Sequence, residues 1–156
     1  ALSLNMDQII EQNHPPSSAS VGLPFLIVEL LNTSALADIQ INTKSFNYLL
    51  DEGSPPYILV YTQNTSNADL QARMFAPLDG ITEDPATGSA NCALAALLAY
   101  YSHLSNGDFC WEVLQGLEMG RPSRLRVRAQ KENGSVIGSW VAGTCVMVAE
   151  GLIETN

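Results

Sequence analysis

The sequence predicts an α+β fold in which a curved, mostly antiparallel sheet is wrapped around a central buried helix. Residues 91–101 are apolar on nearly every face, and a helix that is hydrophobic all round must be buried. The end of the chain has strand periodicity around an Asn133-Gly134 pair, which is a strong hairpin signal. Because helical and strand-like segments are mixed before that point, the strands are expected to enclose the helix.

The other elements follow from periodicity and from turn residues. A short helix is expected over 4–12, because the His14-Pro15-Pro16 breaker comes directly after it. Apolar residues at helical spacing predict a surface helix over 43–51, and the buried helix is expected to end near Ser102. Strands are predicted over 25–31, 57–63, 70–76, 109–115, 123–130, 135–148 and 151–154.

Length and charge limit the classes of protein that this chain can be. Its 156 residues suffice for one domain with a sizeable core, so we expect a single domain over 1–156. A formal charge of −9 argues against nucleic-acid binding, which needs a basic face. Arg124, Arg126 and Arg128 alternate with apolar residues and indicate the solvated face of a half-buried strand. No aromatic residues lie between these arginines to stack on bases.

The apolar segments and the start of the chain bear on its location. Segments 25–31 and 93–101 are shorter than the roughly 20 residues that cross a bilayer, so no membrane role is expected. The chain begins Ala1-Leu2-Ser3 without a signal-peptide pattern, which we interpret as a trimmed or processed cytoplasmic product.

Cysteine and histidine are too sparse for a disulfide scaffold or a metal site. Cys92, Cys110 and Cys145 are scattered, and we expect them to be buried thiols in a reducing compartment. His14 lies in a proline turn and His103 stands alone after a helix. Each is expected to be a surface or capping group, and no metal ion is predicted.

The segment Glu83-Asp84-Pro85-Ala86-Thr87-Gly88-Ser89-Ala90 leads directly into the apolar helix. A helix start offers unpaired N–H groups and the positive end of the helix dipole to an anion. Gly88 costs about 1 kcal/mol relative to alanine in a helix, and close approach of a ligand to the backbone would explain it. Asp84 and Ser89 add a carboxylate and a hydroxyl for proton transfer. The alternative is that Asp84 caps the helix, Pro85 takes its first position and the segment binds nothing.

Three blocks of sequence resemble the PhzF-like (phenazine-biosynthesis-like) isomerases. The central block comprises Arg73-Met74-Phe75-Ala76-Pro77, Gly80-Ile81 and the segment 83–90. A later block comprises Gln115-Gly116 and Met119-Gly120-Arg121-Pro122-Ser123. An earlier block is Ser20-Val21-Gly22-Leu23-Pro24-Phe25-Leu26. The resemblance runs through almost the whole chain, but it covers only the carboxy-terminal half of such a protein.

The resemblance implies a diaminopimelate-epimerase-like fold of two pseudo-symmetric domains facing one cleft. In this family the proton-shuttling glutamate lies in a Gly/Asn-Pro-Ala block of the amino-terminal domain, and no such block occurs in this sequence. The chain alone is therefore expected to be catalytically incomplete, with that domain as its partner. The implied chemistry is a proton shift without a cofactor on a small, cyclic, carboxylate-bearing metabolite, and a homodimer is a further expectation.

The resemblance also implies roles for individual residues. Asp84 would bind or protonate the substrate, and the N–H groups of Gly88 and Ser89 would hold its carboxylate. Thr87 and Ser20 are weaker substrate-binding candidates near the cleft. Arg121 is expected to orient the cleft or to pair with a neighbouring loop.

Other functions fit these residues less well. A two-thiol racemase needs a cysteine before the glycine of the helix start, a serine hydrolase needs Gly-x-Ser-x-Gly, and a phosphate loop needs a lysine; segment 84–90 has none of these. The alternative that stays open is a non-catalytic domain that binds a small ligand or another protein.

Overall fold

The computed structural model describes residues 1–154 and shows a mixed α+β fold. Nine strands form one sheet, and three α-helices pack on it. The strands are β1 (Ile9–Ile10), β2 (Ser17–Ser20), β3 (Pro24–Leu30), β4 (Tyr57–Thr62), β5 (Leu70–Ala76), β6 (Ile81–Asp84), β7 (Gly107–Gln115), β8 (Ser123–Glu132) and β9 (Ser135–Gly143). The helices are α1 (Thr33–Ala37), α2 (Thr43–Asp51) and α3 (Gly88–Tyr101).

The sheet is mostly antiparallel and has the order β1-β3-β4-β5-β7-β8-β9. β2 also pairs with β3, and β6 also pairs with β5. The parallel pairs are β3–β4 and β5–β7, and each of them is joined by a crossover that contains helix. The β5–β7 crossover carries β6 and α3, so this connection brings the predicted site loop to the sheet.

Two hydrophobic cores lie on opposite faces of β3 and β4. Phe25 and Leu59 face the core that contains α3, whereas Leu30 and Val60 face the core that contains α1 and α2. Because both faces are covered, these strands are almost continuously apolar. β8 is covered on one face alone: Leu125, Val127 and Ala129 are buried and the intervening arginines are exposed, as the alternation predicts.

Helix α3 is built from alanine and leucine, which favour helix and fill the space beneath the sheet. Ala90, Ala93, Leu94 and Ala99 are fully buried, and the helix packs against β2, β3, β7, β8 and β9. A single polar residue, Asn91, is fully buried within this run and needs hydrogen-bond partners.

The prediction of a helix over 4–12 is wrong. A 3-10 turn covers Met6–Gln8, and Ile9 and Ile10 form β1 on the edge of β3. The carbonyl oxygen of Gln8 accepts a hydrogen bond from the N–H of Leu31 at 2.9 Å. Pairing with β3 therefore overrides the local helical pattern, since β-branched isoleucines suit a strand edge.

The end of the chain also differs from the prediction. The strand predicted over 135–148 ends at Gly143, and residues 151–154 form no strand. Residues 144–153 are exposed, and β9 is the last strand in the sheet order. Strand periodicity cannot produce a strand where no neighbouring strand pairs with the segment. The sequence reading also omitted β2, β6 and α1, which are short and polar or sit beside turns.

Burial corrects two expectations about single residues. Cys92 is buried as expected, but Cys110 and Cys145 are exposed. His14 is buried rather than on the surface, because its ring is bound by Tyr61 and by the carbonyl oxygen of Pro15. Within residues 1–154, no group of side chains could hold a metal ion and no helix is long and apolar enough to span a membrane.

Candidate active site

The segment between β6 and α3 places Asp84 outside the helix. Asp84 is the last residue of β6 and pairs with Met74 of β5. Thr87 takes the N-cap position, and Gly88 is the first helical residue. The alternative in which Asp84 caps the helix with Pro85 at its first position is therefore wrong, because strand pairing holds Asp84 three residues before the cap. Its half-buried carboxylate is consequently not used to cap α3.

Thr87 links Asp84 to two buried amide side chains. The Thr87 hydroxyl donates to Asp84 Oδ2 at 2.5 Å and accepts from Gln115 Nε2 at 3.1 Å. Gln115 Nε2 also donates to the carbonyl oxygen of Asp84 at 2.6 Å. Gln115 Oε1 accepts from Asn91 Nδ2 at 2.7 Å and from the N–H of Thr87 at 3.3 Å. This network fixes the backbone and one carboxylate oxygen of Asp84.

Asn91, in the first turns of α3, adds a further hydrogen bond to the network. Its Nδ2 atom also donates to the carbonyl oxygen of Thr87 at 2.9 Å. Asn91 and Gln115 are both 0% exposed, so this polar cluster lies wholly inside the protein. A buried network with most of its groups paired is rigid, which suits a loop that must hold a carboxylate in position.

Gly116 lets a second loop pack against the first. Its φ of 80° favours glycine, and a Cβ atom there would collide with the Arg121 carbonyl oxygen and lie 3.0 Å from that of Pro85. The N–H of Arg121 donates to the carbonyl oxygen of Gly116 at 2.9 Å. The Gln115 side chain thus holds the Asp84 segment by hydrogen bonds. Gly116, which has no side chain, lets the backbone at Pro85 and Arg121 pack closely against it.

A buried ion pair anchors β6 to β5. Arg73 Nη2 donates to Glu83 Oε2 at 2.7 Å, and Arg73 Nε donates to Glu83 Oε1 at 2.9 Å. Arg73 Nη1 donates to the carbonyl oxygen of Leu36 at 2.6 Å. Both side chains are only 10% exposed. Glu83 is therefore committed to Arg73, which leaves Asp84 as the carboxylate that faces the helix start.

The first turn of α3 presents its backbone N–H groups next to Asp84. In the described residues, no hydrogen bond is formed by the N–H groups of Gly88 and Ser89, as expected at a helix start. Both residues are partly exposed. Gly88 has no positive φ, and a Cβ atom on it would lie 3.4 Å from Val141 Cγ1. Alanine would therefore fit there, so the fold alone does not require glycine at this position.

The structure brings four of the six predicted site residues together. Asp84, Thr87, Gly88 and Ser89 form one continuous loop and helix start. The backbone of Arg121 lies beside this loop at Gly116, although its side chain is exposed. Ser20 lies at the exposed end of β2, where its hydroxyl accepts from the N–H of Gly22 at 3.1 Å. Within residues 1–154 no hydrogen bond joins Ser20 or the Arg121 side chain to the loop.

Sequence reasoning assigned no site role to Gln115, Asn91, Arg73 or Glu83. The signal for Asn91 was present, because an amide within an all-apolar helix must find a partner. Arg73 gave a similar signal inside the apolar run of β5. The identity of their partners depends on how distant strands come together, which no local pattern reveals.

Comparison with known proteins matches these motifs to one family. The family model for phenazine biosynthesis-like proteins matches residues 1–151. An uncharacterized isomerase of Mesorhizobium japonicum is 32% identical over 158 residues, covering 97% of this chain and 52% of its own. A trans-2,3-dihydro-3-hydroxyanthranilate isomerase of Pseudomonas aeruginosa is 43% identical over 81 residues, covering 52% of this chain and 29% of its own.

Solved structures give the same result for the fold. A phenazine biosynthesis protein of the PhzF family from Bacillus anthracis superposes with a TM-score of 0.71 at 25% identity, over 80% of this chain and 44% of its own. A predicted epimerase from Pseudomonas aeruginosa gives 0.57 at 27% identity, over 94% of this chain and 50% of its own. The chain spans about half the length of the curated relatives that it matches end to end. The resemblance seen in the sequence motifs is confirmed, and the chain belongs to the phenazine biosynthesis-like (PhzC-PhzF) family.

Proposed function

We propose that the chain is one domain of a cofactor-independent isomerase that moves a proton on a small, cyclic, carboxylate-bearing metabolite. Several relatives are named as isomerases, and one group is named for a dihydro-hydroxyanthranilate, a ring that carries a carboxylate. Those names describe the relatives. For this chain the proposal depends on the geometry of the Asp84 loop.

One observation carries the proposal: a carboxylate lies beside free backbone N–H groups at a helix start. Asp84 Oδ2 accepts from the Thr87 hydroxyl, and Oδ1 makes no hydrogen bond within residues 1–154. Oδ1 is thus available to take a proton from the substrate or return one to it. The N–H groups of Gly88 and Ser89, at the positive end of the α3 dipole, would bind the substrate carboxylate.

A second domain completes the proposed site. The chain covers 44% to 52% of the Bacillus anthracis structure and the Mesorhizobium relative, which leaves room for another domain of similar size. In the described loop, the neighbouring acid Glu83 is bound by Arg73 and is not free for proton transfer. A proton shift between two carbons benefits from a second acid or base on the opposite wall, which we assign to the amino-terminal domain. The chain alone would then bind weakly and not turn over.

The test compares the chain joined to an amino-terminal half of the family with the same protein carrying Asp84→Asn. Trans-2,3-dihydro-3-hydroxyanthranilate is offered in D₂O, and NMR follows deuterium incorporation and isomer formation. We expect loss of turnover by at least about 100-fold in Asp84→Asn, since general acid–base catalysis typically contributes about 10² to 10⁴. Asp51→Asn, at an exposed position on α2, is the matched control. Wild-type rates in Asp84→Asn would remove Asp84 from the mechanism.

The second candidate is a domain that binds a small carboxylate without turning it over. This candidate is favoured because the described loop has a single free carboxylate, that of Asp84, while Glu83 is held in an ion pair. Calorimetric binding to the joined protein without deuterium exchange would support this candidate. Binding together with exchange would support the isomerase.

A further inference from the structure

A second cleft lies at the opposite end of α3 from Asp84. It is open to solvent and has a volume of about 420 Å³, within the range of small-ligand sites. One wall is aromatic and consists of Tyr101, Phe109 and Trp111. The lining also includes the amide side chains of Gln12, Asn13 and Gln63, and it is completed by Leu98, Ser102, His103 and Leu104. We call this the aromatic cleft.

β5 lies between β4 and β7 in the sheet, but it is shorter than β7. The cleft lies where β5 no longer fills the space between them. β5 pairs with β7 only from Leu70–Ala72 to Val113–Gln115. The turn residue Asp69 extends the contact to Glu112, whose N–H donates to Asp69 Oδ2 at 2.7 Å. Residues 107–111 of β7 project beyond this point and pair with β8 on one side only. The gap that remains leads down to the last turn of α3.

The aromatic wall offers flat ring faces. The rings of Phe109 and Trp111 are stacked at 6.2 Å with an angle of 13° between them. Both pack partly buried against the core around α3. Tyr101 stays 40% exposed, and its ring lies 5.8 Å from that of His14. Stacked, partly exposed rings bind the apolar face of a planar or saturated ring.

Asn13, one of the amide residues that line the cleft, is held in place by a buried carboxylate. Asn13 donates to Glu29 through Nδ2 at 2.5 Å and through its backbone N–H at 3.0 Å. Glu29 is 1% exposed and has no cationic partner within residues 1–154. Burying a carboxylate is costly, and these two bonds offset part of that cost. Because both nitrogens of Asn13 face Glu29, its Oδ1 is left as an acceptor for a ligand.

His14, the residue after Asn13, is also held by hydrogen bonds. His14 Nδ1 lies 2.7 Å from the carbonyl oxygen of Pro15, which can only accept, so Nδ1 carries a proton. In the neutral ring, Nε2 then accepts from the Tyr61 hydroxyl at 2.9 Å. Buried polar groups that immobilise a surface segment are the support that a binding site needs.

We propose that the aromatic cleft binds an uncharged ring that carries several hydroxyl groups. The ring face would stack on Trp111, and the hydroxyl groups would bond to Asn13, Gln63 and neighbouring amides. No aspartate, glutamate, lysine or arginine lines the cleft, and His103 is the one lining residue that can carry a positive charge. Because the cleft has no permanent cation, it favours an uncharged ligand. This ligand is distinct from the carboxylate substrate of the Asp84 loop, and the inference does not depend on that function. A free sugar and the ribose of a nucleoside share the required chemistry.

The test uses the 156-residue chain with Trp140→Phe, which leaves Trp111 as its sole tryptophan. Glucose, cellobiose and adenosine are titrated separately while Trp111 fluorescence and ¹H–¹⁵N NMR shifts are recorded. We expect a saturable change at one of them with a Kd of about 1 mM or tighter, and shifts confined to residues of the cleft. Saturation by the saccharides identifies a sugar site, and saturation by adenosine alone identifies a nucleoside site.

Gln63→Leu should weaken that binding by at least about tenfold, which corresponds to about 1.4 kcal/mol. Gln40→Leu, at an exposed position outside the cleft, should not change it. No saturable change with any of the three probes would overturn the proposal. Equal affinity in Gln63→Leu, or tighter binding of glucuronate than of glucose, would overturn it as well.

Discussion

Single residues around Asp84 have separable roles. Thr87 and Gln115 fix the position of Asp84 through hydrogen bonds, and Gly116 allows the neighbouring loop to approach. Gly88 lacks any such structural requirement. Substitutions at the two glycines should therefore affect different properties: stability at Gly116, and ligand affinity at Gly88.

Gly116→Ala should destabilise the protein by at least about 2 kcal/mol. A left-handed conformation costs a non-glycine residue about 1–2 kcal/mol, and the added methyl group would also collide with the Arg121 carbonyl oxygen. Gly120→Ala is the matched control, because its φ of 74° is similar but no atom lies within 4 Å of the new Cβ. Urea denaturation of both variants measures the difference, and equal losses would show that the close approach is unimportant.

Gly88→Ala should leave the free energy of unfolding unchanged or raise it by up to about 1 kcal/mol. Alanine is the better helix former, and the new methyl group would make an ordinary contact with Val141. In the joined two-domain protein, we expect calorimetry to show weaker binding of the proposed carboxylate substrate, because the methyl group would obstruct approach to the N–H groups. Unchanged affinity would assign Gly88 to the helix and not to a ligand.

At the scale of elements, β6 is short, and the Arg73 side chain of the neighbouring strand β5 holds it in place. β6 pairs with β5 at two positions separated by an irregularity in register, Met74 with Asp84 and Ala76 with Ile81. Arg73 adds a bidentate ion pair to Glu83 and a bond to α1 at Leu36. The ion pair therefore holds the strand that ends in Asp84.

Arg73→Met should cost about 3–5 kcal/mol, because it leaves Glu83 buried without a partner. Arg73→Met combined with Glu83→Leu should recover much of this loss, since the uncompensated charge is then gone. Arg128→Met removes a surface pair with Asp108 at 3.6 Å and a cation–π contact with the Trp140 ring at 4.1 Å, and it should cost less than about 2 kcal/mol. Chemical denaturation provides all three values; similar losses for the Arg73 and Arg128 variants would contradict a structural role for the buried pair.

At the scale of the whole molecule, buried polar groups on the α3 face of the sheet link β3 and β4 to the segment that precedes β2. Tyr61 is fully buried in the α3 core, bonds to His14 and lies beside Glu29 in the parallel β3–β4 ladder. Burial raises the pKa of Tyr61 far above its usual value, and the charge of Glu29 raises it further. The folded protein therefore keeps this hydroxyl protonated at alkaline pH.

This shift predicts a loss of stability above pH 10. Below the ordinary tyrosine pKa of 10.0, the hydroxyl is protonated in both states and the contribution is constant. Above it, the unfolded chain releases the proton while the folded chain keeps it, so the free energy of unfolding falls by up to about 1.4 kcal/mol per pH unit. Tyr61→Phe should remove this part of the slope, although it also leaves His14 Nε2 unpaired.

Denaturant titrations between about pH 9 and pH 11 test this prediction. Tyr48→Phe, at a position 63% exposed, is the matched control and should keep the wild-type slope. A slope in Tyr61→Phe equal to that of the wild type would show that the buried hydroxyl is not the group responsible.

The accuracy of the sequence predictions varied with the kind of signal. The strand over 70–76 and the helix over 43–51 have the predicted bounds, because apolar spacing and flanking turn residues define them locally. The 4–12 segment became a strand edge because β3 lay beside it. Homodimer formation, cytoplasmic location and the amino-terminal domain as partner stay predictions.

The sequence by itself determined the family, through motifs that lie close together in the chain, and it singled out segment 84–89 as the candidate site. It also determined the half-buried character of β8 and the turn at Asn133, since alternation and turn chemistry act over a few residues. Only the tertiary structure decided that Asp84 ends a strand instead of capping α3, that Gln115 supports it, and that His14 is buried. These outcomes depend on which distant segments meet, because pairing and burial energies are set by the partner and not by the local sequence.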